Sequence, residues 1–122
     1  YEKAGRKDGR QKPRALDALH KRFKALYKNI TISERAVSGF TGLTEELRIK
    51  SEEIIHQLNE NPDLVSVKRK VFGKKNQATV LEVLFAYNGR LYFRRTHDNR
   101  VEVLAIGTKN TQVKDLEFLG KV

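Results

Sequence analysis

The sequence contains no cysteine and no methionine, and each absence narrows what the chain can be. Without cysteine, a disulfide framework, a zinc–thiolate site and a thiol nucleophile are all excluded. Without methionine the chain lacks an initiator, so we expect it to be a piece of a longer protein. No apolar run approaches the roughly 20 residues of a membrane-spanning helix, so no membrane span is predicted.

Several catalytic signatures are also missing. The sequence has no Gly-rich phosphate loop followed by Lys-Ser/Thr, no G-x-S-x-G and no H-E-x-x-H. The largest group of acidic residues lies in one helical region, so the paired carboxylates of a metal-dependent nuclease are hard to assemble. The sequence therefore predicts no metal site and no cofactor.

Charge of one sign is in large excess. The 122 residues include 25 Lys and Arg against 15 Asp and Glu, which gives a formal net charge of +10. Such an excess indicates an acidic partner, which is a nucleic acid, an anionic membrane surface or an acidic protein. The length suits one domain with one hydrophobic core.

The N-terminal half predicts two helices. Residues 1–12 are basic and polar, and we interpret them as a flexible arm or linker before a single domain at 13–122. Pro13 suits the first turn of a helix. An apolar stripe at helical spacing follows, formed by Leu16, Leu19, Phe23, Leu26 and Ile30. Residues 31–43 are interpreted as a connector, and a second helix is predicted from the N-cap Thr44 to the region of Pro62.

The C-terminal half alternates with a period of two, which is typical of strands. Four strands are predicted, followed by a tail that forms a short helix or an edge strand; the strands are 64–72, 78–87, 90–96 and 100–107. The predicted fold class is α+β, with two N-terminal helices packed on one face of a twisted antiparallel sheet of four to five strands.

Turn chemistry predicts the strand register. Asn88-Gly89 is a strong signal for a two-residue hairpin loop, which would place Glu82 opposite Arg95. A second two-residue loop would place Arg95 opposite Glu102, whereas a three-residue loop would shift the last strand by one. Two interpretations of Arg95 stay open: a cross-strand ion ladder, or an arginine that binds phosphate beside a histidine.

The segment VLEVLFAYNGRLYFRR, followed by VEVLAIGTKNTQVKDLEFL, resembles the sheet of RelE/ParE-type toxins. The matching residues are Leu84 to Arg90 and Gly107 to Asp115. The same architecture is shared by barnase-like, EndoU-like and colicin-type ribonucleases (the BECR group), which includes toxin domains at the C-termini of contact-dependent inhibition proteins. The resemblance implies a metal-independent ribonuclease toxin that cleaves tRNA or ribosome-associated mRNA by attack of the ribose 2′-OH.

The resemblance also implies a location and partners. The toxin would act in the bacterial cytoplasm, either as half of a toxin–antitoxin pair or delivered from outside as the C-terminal part of a secreted or cell-surface protein. Its partners would be RNA and an acidic cognate antitoxin or immunity protein. The alternative is a non-enzymatic protein on the same fold, which is a ParE-like gyrase poison or an RNA-binding module.

Candidate site residues come from this chain's own chemistry. His97 can act as acid or base, cations can hold phosphate, hydroxyls and amides can donate hydrogen bonds, and Tyr92 can stack on a base. The catalytic candidates are His97, Arg95, Arg94, Lys109 and Thr111. The RNA-binding candidates are Tyr92, Thr96, Thr108, Gln112, Lys68, Lys70, Lys74, Lys75 and His20. For His97 a place in an ordinary turn, for Tyr92 a place in the core, and for Lys74 and Lys75 simple solvation remain open.

The charge excess predicts nucleic-acid binding that weakens steeply with salt. If about five cations contact phosphates, the logarithm of the binding constant should fall with the logarithm of the salt concentration at a slope of about −4, because each contact releases counterions. Fluorescence anisotropy of labelled RNA at several salt concentrations measures the slope. A flat response would remove the electrostatic argument for a nucleic-acid partner.

Overall fold

A computed structural model describes residues 4–72, 79–96, 98 and 100–120 of the chain. The helices are α1 (Ala4–Leu26), α2 (Glu34–Thr41), α3 (Glu45–Glu60) and α4 (Gln112–Leu119). The strands are β1 (Ile30–Ile32), β2 (Arg69–Phe72), β3 (Val80–Phe85), β4 (Gly89–Arg95) and β5 (Val101–Thr108), with 3₁₀ turns at Pro62–Leu64 and Lys109–Thr111. The α+β prediction is confirmed. None of the helices in these ranges is both long and apolar enough to cross a membrane.

The sheet is mixed rather than wholly antiparallel. Its strand order is β1-β5-β4-β3-β2, and β1 pairs in parallel with β5 while the other neighbours are antiparallel. The sequence did not reveal β1 because three residues are too few to show an alternation. Its first residue, Ile30, also fitted the spacing of the preceding helical stripe. The connector predicted at 31–43 contains most of β1 and the whole of α2.

Local capping explains where the helices begin and end. The Ser33 side chain accepts a hydrogen bond from the Ala36 amide at the start of α2, and Thr44 accepts one from the Leu47 amide at the start of α3. Thr44 was predicted in this role. Helix α1 begins at Ala4 instead of Pro13, so it extends into the segment interpreted as a flexible arm. Residues 4–12 include alanine, lysine, arginine and glutamine, which favour a helix.

Both faces of the central strands are covered. The larger core joins α1, α2 and α3 to one face of the sheet, through buried side chains such as Phe23, Val37, Ile55, Leu91 and Phe93. Helix α4 covers the opposite face, where Tyr92, Leu104, Ala105 and Leu119 pack together. Helices therefore lie on both faces, not on one as predicted, and every residue from Gly89 to Phe93 is buried.

The strand register differs from the predicted one. Phe85 pairs with Gly89 across a turn formed by Ala86, Tyr87 and Asn88, so Glu82 lies opposite Tyr92 and not opposite Arg95. On the other side of β4, Arg94 lies opposite Glu102 and Arg95 opposite Val101, which is the shifted alternative for the last strand. Because side chains alternate along a strand, Arg95 lies on the opposite face from Glu82.

Helix α2 packs unusually close to β5, and this contact predicts the effect of a substitution. A Cβ atom at Gly39 would lie 1.8 Å from the Ile106 carbonyl oxygen, a collision of backbone against backbone. We expect Gly39→Ala to lower the free energy of unfolding by at least the ~1–3 kcal/mol that overpacked cores lose. Urea unfolding followed by circular dichroism measures the loss.

Gly42→Ala is the matched control for this experiment. A Cβ atom at Gly42 would lie 3.6 Å from the Gly39 carbonyl oxygen, an ordinary van der Waals contact, at a backbone φ of −82° that alanine adopts. We expect this control to change the stability by well under ~1 kcal/mol. Equal stability of the two variants would contradict the packing described for α2 and β5.

Candidate functional site

The structure divides the predicted catalytic residues between two ends of the sheet. Strand β4 pairs Gly89 with Thr108 at one end and Arg95 with Val101 at the other. Its seven residues span about 20 Å. Lys109 and Thr111 follow Thr108 at the first end, whereas Arg94 and Arg95 lie at the second. The five predicted catalytic residues therefore do not form one site.

Three predicted residues lie outside the described part of the chain. These are the catalytic candidate His97 and the RNA-binding candidates Lys74 and Lys75. The neighbours of His97 in sequence, Thr96 and Asp98, are described, and both belong to the second end of the sheet.

A polar cavity lies at that second end, and we call it the turn-end pocket. Its volume is about 400 Å³, within the range of pockets that hold small ligands. Its polar lining residues are Asn29, Asn59, Glu60, Asn61, Asp98 and Arg100. Amides, carboxylates and a guanidinium are the groups with which proteins recognise the edges of bases.

Helix ends and the start of β5 position these side chains. Two hydrogen bonds join Asn29 and Asn59. The backbone amide of Asn29 donates to Asn59 Oδ1 at 2.9 Å, and Asn29 Nδ2 donates to the backbone carbonyl of Asn59 at 3.1 Å. Asn61 Oδ1 accepts from the Asp63 amide at 3.0 Å and so caps the 3₁₀ turn. Arg100 Nη2 donates to the Lys28 carbonyl at 2.8 Å. The walls of the pocket are thus built before any ligand arrives.

Thr96 fixes the strand ends beside the pocket. Its amide donates to the Arg100 carbonyl at 2.8 Å, and its hydroxyl accepts from the Arg100 amide at 3.3 Å. The same hydroxyl donates to the Asp98 carboxylate. Thr96 was predicted to contact RNA, and here it orients two residues that line the pocket.

Both arginines of the predicted site form ion pairs. Arg94 Nε donates to Glu102 Oε1 at 2.8 Å, and Arg95 pairs with Asp63, the residue that follows Pro62 of the pocket wall. The Arg95 side chain is 41% exposed and that of Asp63 75%, so the pair is worth about 1 kcal/mol or less. A phosphate could replace the carboxylate at low free-energy cost.

Most residues of the pocket could not be recognised from the sequence. Asn59 and Asn61 were interpreted only as residues at the end of the second helix, Arg100 as the first residue of a strand, and Asn29 was not singled out. One sequence pattern indicates the turn-end pocket, namely that all three asparagines lie at or near the ends of helices α1 and α3.

Tyr92 and Gln112 were predicted to contact RNA, but they bind a buried carboxylate on the α4 side of the sheet. Glu82 Oε2 accepts from the Tyr92 hydroxyl and from Gln112 Nε2, each at 2.9 Å, and Glu82 Oε1 accepts from Arg69 Nε at 2.8 Å. Tyr92 is fully buried and cannot stack on a base, so its interpretation as a core residue is the one observed.

The same contacts shift two pKa values. Burial and the hydrogen bond to Glu82 raise the pKa of the Tyr92 hydroxyl well above its ordinary value. Burial acts to raise the pKa of the Glu82 carboxyl, but the hydrogen bonds from Arg69, Tyr92 and Gln112 outweigh it and leave that pKa lowered. Glu82 is therefore a fixed negative charge and not a general base.

The remaining candidates lie elsewhere. Thr111 Oγ1 donates to the buried carboxylate of Asp115 at 3.0 Å and accepts from the Thr108 amide at 3.0 Å, so both threonines stabilise the start of α4. His20 lines a separate cavity of about 220 Å³ with Asp17 and Glu34. Of the remaining lysine candidates, Lys68, Lys70 and Lys109 are exposed. Among the described residues, no group of three or more His, Asp or Glu side chains is placed to hold a metal ion.

The Glu82 contacts predict how stability depends on pH. Because its folded pKa is below the unfolded one, Glu82 contributes stability that is present above the unfolded pKa and lost as the pH falls through the folded pKa. Glu82→Gln should lower the free energy of unfolding near pH 7 by ~1.5–3 kcal/mol, the usual value of hydrogen bonds to a charged group. The variant should also lose less stability on acidification than the parent.

Glu53→Gln is the control, because Glu53 is exposed and lies 3.9 Å from its nearest cation, Lys50. Denaturant unfolding at several acidic pH values compares the three proteins. If Glu82→Gln followed the parent and the control at every pH, the carboxylate would not carry the stability assigned to it.

Comparison with known proteins identifies no relative of this chain. No protein-family model, no curated protein and no solved structure matches the chain. The likeness to RelE/ParE-type toxins therefore remains a resemblance carried by the strand and turn sequences, and the function has to be argued from the residues themselves.

Proposed function

We propose that this protein binds RNA at the turn-end pocket and cleaves it there without a metal ion, as a toxin. The observation that supports this most is that a chemically unusual segment and a polar cavity lie at the same end of the sheet. The segment Arg94-Arg95-Thr96, singled out by its chemistry together with the His97 that follows it in sequence, ends beside a polar cavity of about 400 Å³. RNA recognition commonly uses such a combination of amides, guanidinium groups and cations on unpaired nucleotides.

Two acidic residues line the pocket itself, and exposed cations on the neighbouring chain segments favour an RNA strand. The Arg100 guanidinium bonds to the Lys28 carbonyl, so two exposed cationic residues adjoin the pocket. Lys21 and Lys24, on the preceding turns of α1, are exposed as well. Within the described ranges, none of these three lysines has a carboxylate partner. Such cations attract the phosphate backbone and guide a strand toward the cavity.

The proposed reaction needs an acid, a base and a cation. The ribose 2′ oxygen attacks phosphorus as its proton passes to a base, and the bond to the 5′ oxygen breaks as an acid protonates that oxygen. The products are a 2′,3′-cyclic phosphate and a 5′ hydroxyl. In this proposal His97 transfers a proton, and Arg95 and Arg100 stabilise the negative charge at phosphorus. Lys109 and Thr111 have no part in the chemistry, because they lie at the other end of β4.

The proposed setting follows from the charge and the resemblance. The RNA would be tRNA or ribosome-associated mRNA of a bacterial cytoplasm. A chain with a net charge of +10 would need an acidic antitoxin or immunity protein, whose association would be fast and sensitive to salt. Such an inhibitor would cover the cations around the turn-end pocket.

The proposed reaction predicts cleavage of RNA in the presence of EDTA. His97→Ala should reduce the cleavage rate by ~10²–10⁴-fold, the usual contribution of a positioned acid or base. His56→Ala is the control, because His56 is an exposed residue of α3 whose described contact is with the Tyr27 ring. Gel analysis of labelled tRNA, with mapping of the 3′ ends, measures rate and product.

Three outcomes distinguish the possibilities. Full activity of His97→Ala would contradict the role of the histidine, and activity restored only by a divalent metal would contradict the mechanism. Binding of RNA by a protein that cleaves no RNA under any condition would support the RNA-binding module instead. The ion pairs of Arg94 and Arg95 with carboxylates favour this alternative, because they compete with binding of the reacting phosphate.

A further inference from the structure

The turn at the opposite end of β4 from the turn-end pocket presents one aromatic side chain to solvent. Tyr87 is 99% exposed, whereas the other described tyrosines, Tyr27 and Tyr92, are 7% and 0% exposed. Aromatic side chains usually bury their rings, and a tyrosine directed wholly into water gives the fold no packing. Tyr87 therefore makes no contribution to the core.

The backbone at this turn is strained. Ala86 and Tyr87 have positive φ values of 49° and 62°, in the left-handed region. Asn and Gly tolerate this region well, and a bulky residue tolerates it poorly. A turn with Asn or Gly at positions 86 and 87 would keep the same register without that strain. The strain is thus tied to the side chains at these two positions, and the fold does not require it.

Hydrogen bonds from Arg90 and Lys109 hold the backbone of the strained turn in place. Arg90 Nη1 donates to the Tyr87 carbonyl at 2.9 Å and to the Gly89 carbonyl at 3.0 Å, and Arg90 itself is buried. The Lys109 amide donates to the Asn88 carbonyl at 2.8 Å. These bonds fix the backbone, so the ring projects from a rigid support and loses little entropy when a ligand covers it.

We propose that Tyr87 stacks on an unpaired base of the bound RNA, with Lys109 binding a neighbouring phosphate. The proposal rests on the proposed RNA-binding function and deepens it. Lys109 is exposed, and its backbone amide donates to the carbonyl of Asn88, the residue after Tyr87, so the cation and the ring belong to the same end of β4. An aromatic platform beside a cation is the usual device for holding single-stranded nucleic acid without reading its sequence.

The position of Tyr87 also defines the class of substrate. The platform and the turn-end pocket lie at opposite ends of β4, about 20 Å apart. One nucleotide cannot contact both, and a rigid duplex offers no unpaired base to the ring. The substrate is therefore a single-stranded segment of several nucleotides, such as a loop or an unpaired stretch, that passes from one end of the strand to the other.

Binding of a short, mixed-sequence 2′-O-methyl oligoribonucleotide to the complete chain tests the proposal, since this probe cannot be cleaved through its 2′ position. Tyr87→Ala should weaken binding by roughly 5- to 150-fold, the equivalent of one lost stacking contact. Tyr87→Phe should bind as tightly as the parent. Ile49→Ala, which removes an exposed apolar side chain from α3, should change nothing.

Two further measurements separate stacking from charge and from folding. Tyr87→Ala should leave the salt slope unchanged, whereas Lys109→Ala should reduce its magnitude by about 0.7, the value of one phosphate contact on a single strand. Tyr87→Gly should raise the unfolding midpoint, because glycine relieves the strain, while it weakens binding as Tyr87→Ala does.

These measurements distinguish failure of the stacking proposal from failure of the RNA-binding proposal. If the parent binds the oligonucleotide and Tyr87→Ala binds it equally well, the stacking platform is wrong and the RNA-binding function stands. If the parent does not bind single-stranded RNA at any salt concentration, both proposals are wrong.

Discussion

The hydrogen-bonded pairing of β4 between β3 and β5 determines where every polar residue of interest lies. One edge of β4 pairs Glu82 with Tyr92, and the other pairs Arg94 with Glu102. These pairings turn Tyr92 toward the buried Glu82 carboxylate and place Arg95 on the opposite face. They also put Tyr87 and the turn-end pocket at opposite ends of the strand. A register shifted by one residue would exchange the groups that face α1–α3 with those that face α4.

Much of the fold could be predicted because its signals are local. The change from helical to alternating periodicity, the Thr44 cap and the end of α3 before Pro62 each depend on a few neighbouring residues. Strand β1 and helix α2 could not be predicted, since β1 is short and is stabilised by a parallel partner far away in sequence. The Asn88-Gly89 signal was outweighed by packing: a Cβ atom at Gly89 would meet the Phe85 ring, so the glycine is needed inside the strand.

The candidate site was less predictable than the fold, because it depends on residues that only the tertiary structure brings together. Arg94, Arg95 and Thr96 could be recognised as an unusual polar segment. Their surroundings come from three separate helix ends and turns, and a lone Asn59 or Asn61 in the sequence indicates only a helix end. The division of the catalytic candidates between two ends follows from antiparallel pairing in either register. The faces on which Glu82 and Arg95 lie depend on the register, which turn residues alone predicted wrongly.

We infer that one RNA strand contacts both ends of the sheet, the turn-end pocket and the platform at Tyr87. Backbone chemical shifts of the isotope-labelled protein, titrated with the non-cleavable oligonucleotide, test this claim most directly. We expect little change on the acidic helix α3 before its last turn, and the largest changes at Asn29, Asn61, Arg100, Tyr87 and Lys109. Changes centred on the exposed face of α3, or no changes at all, would contradict it.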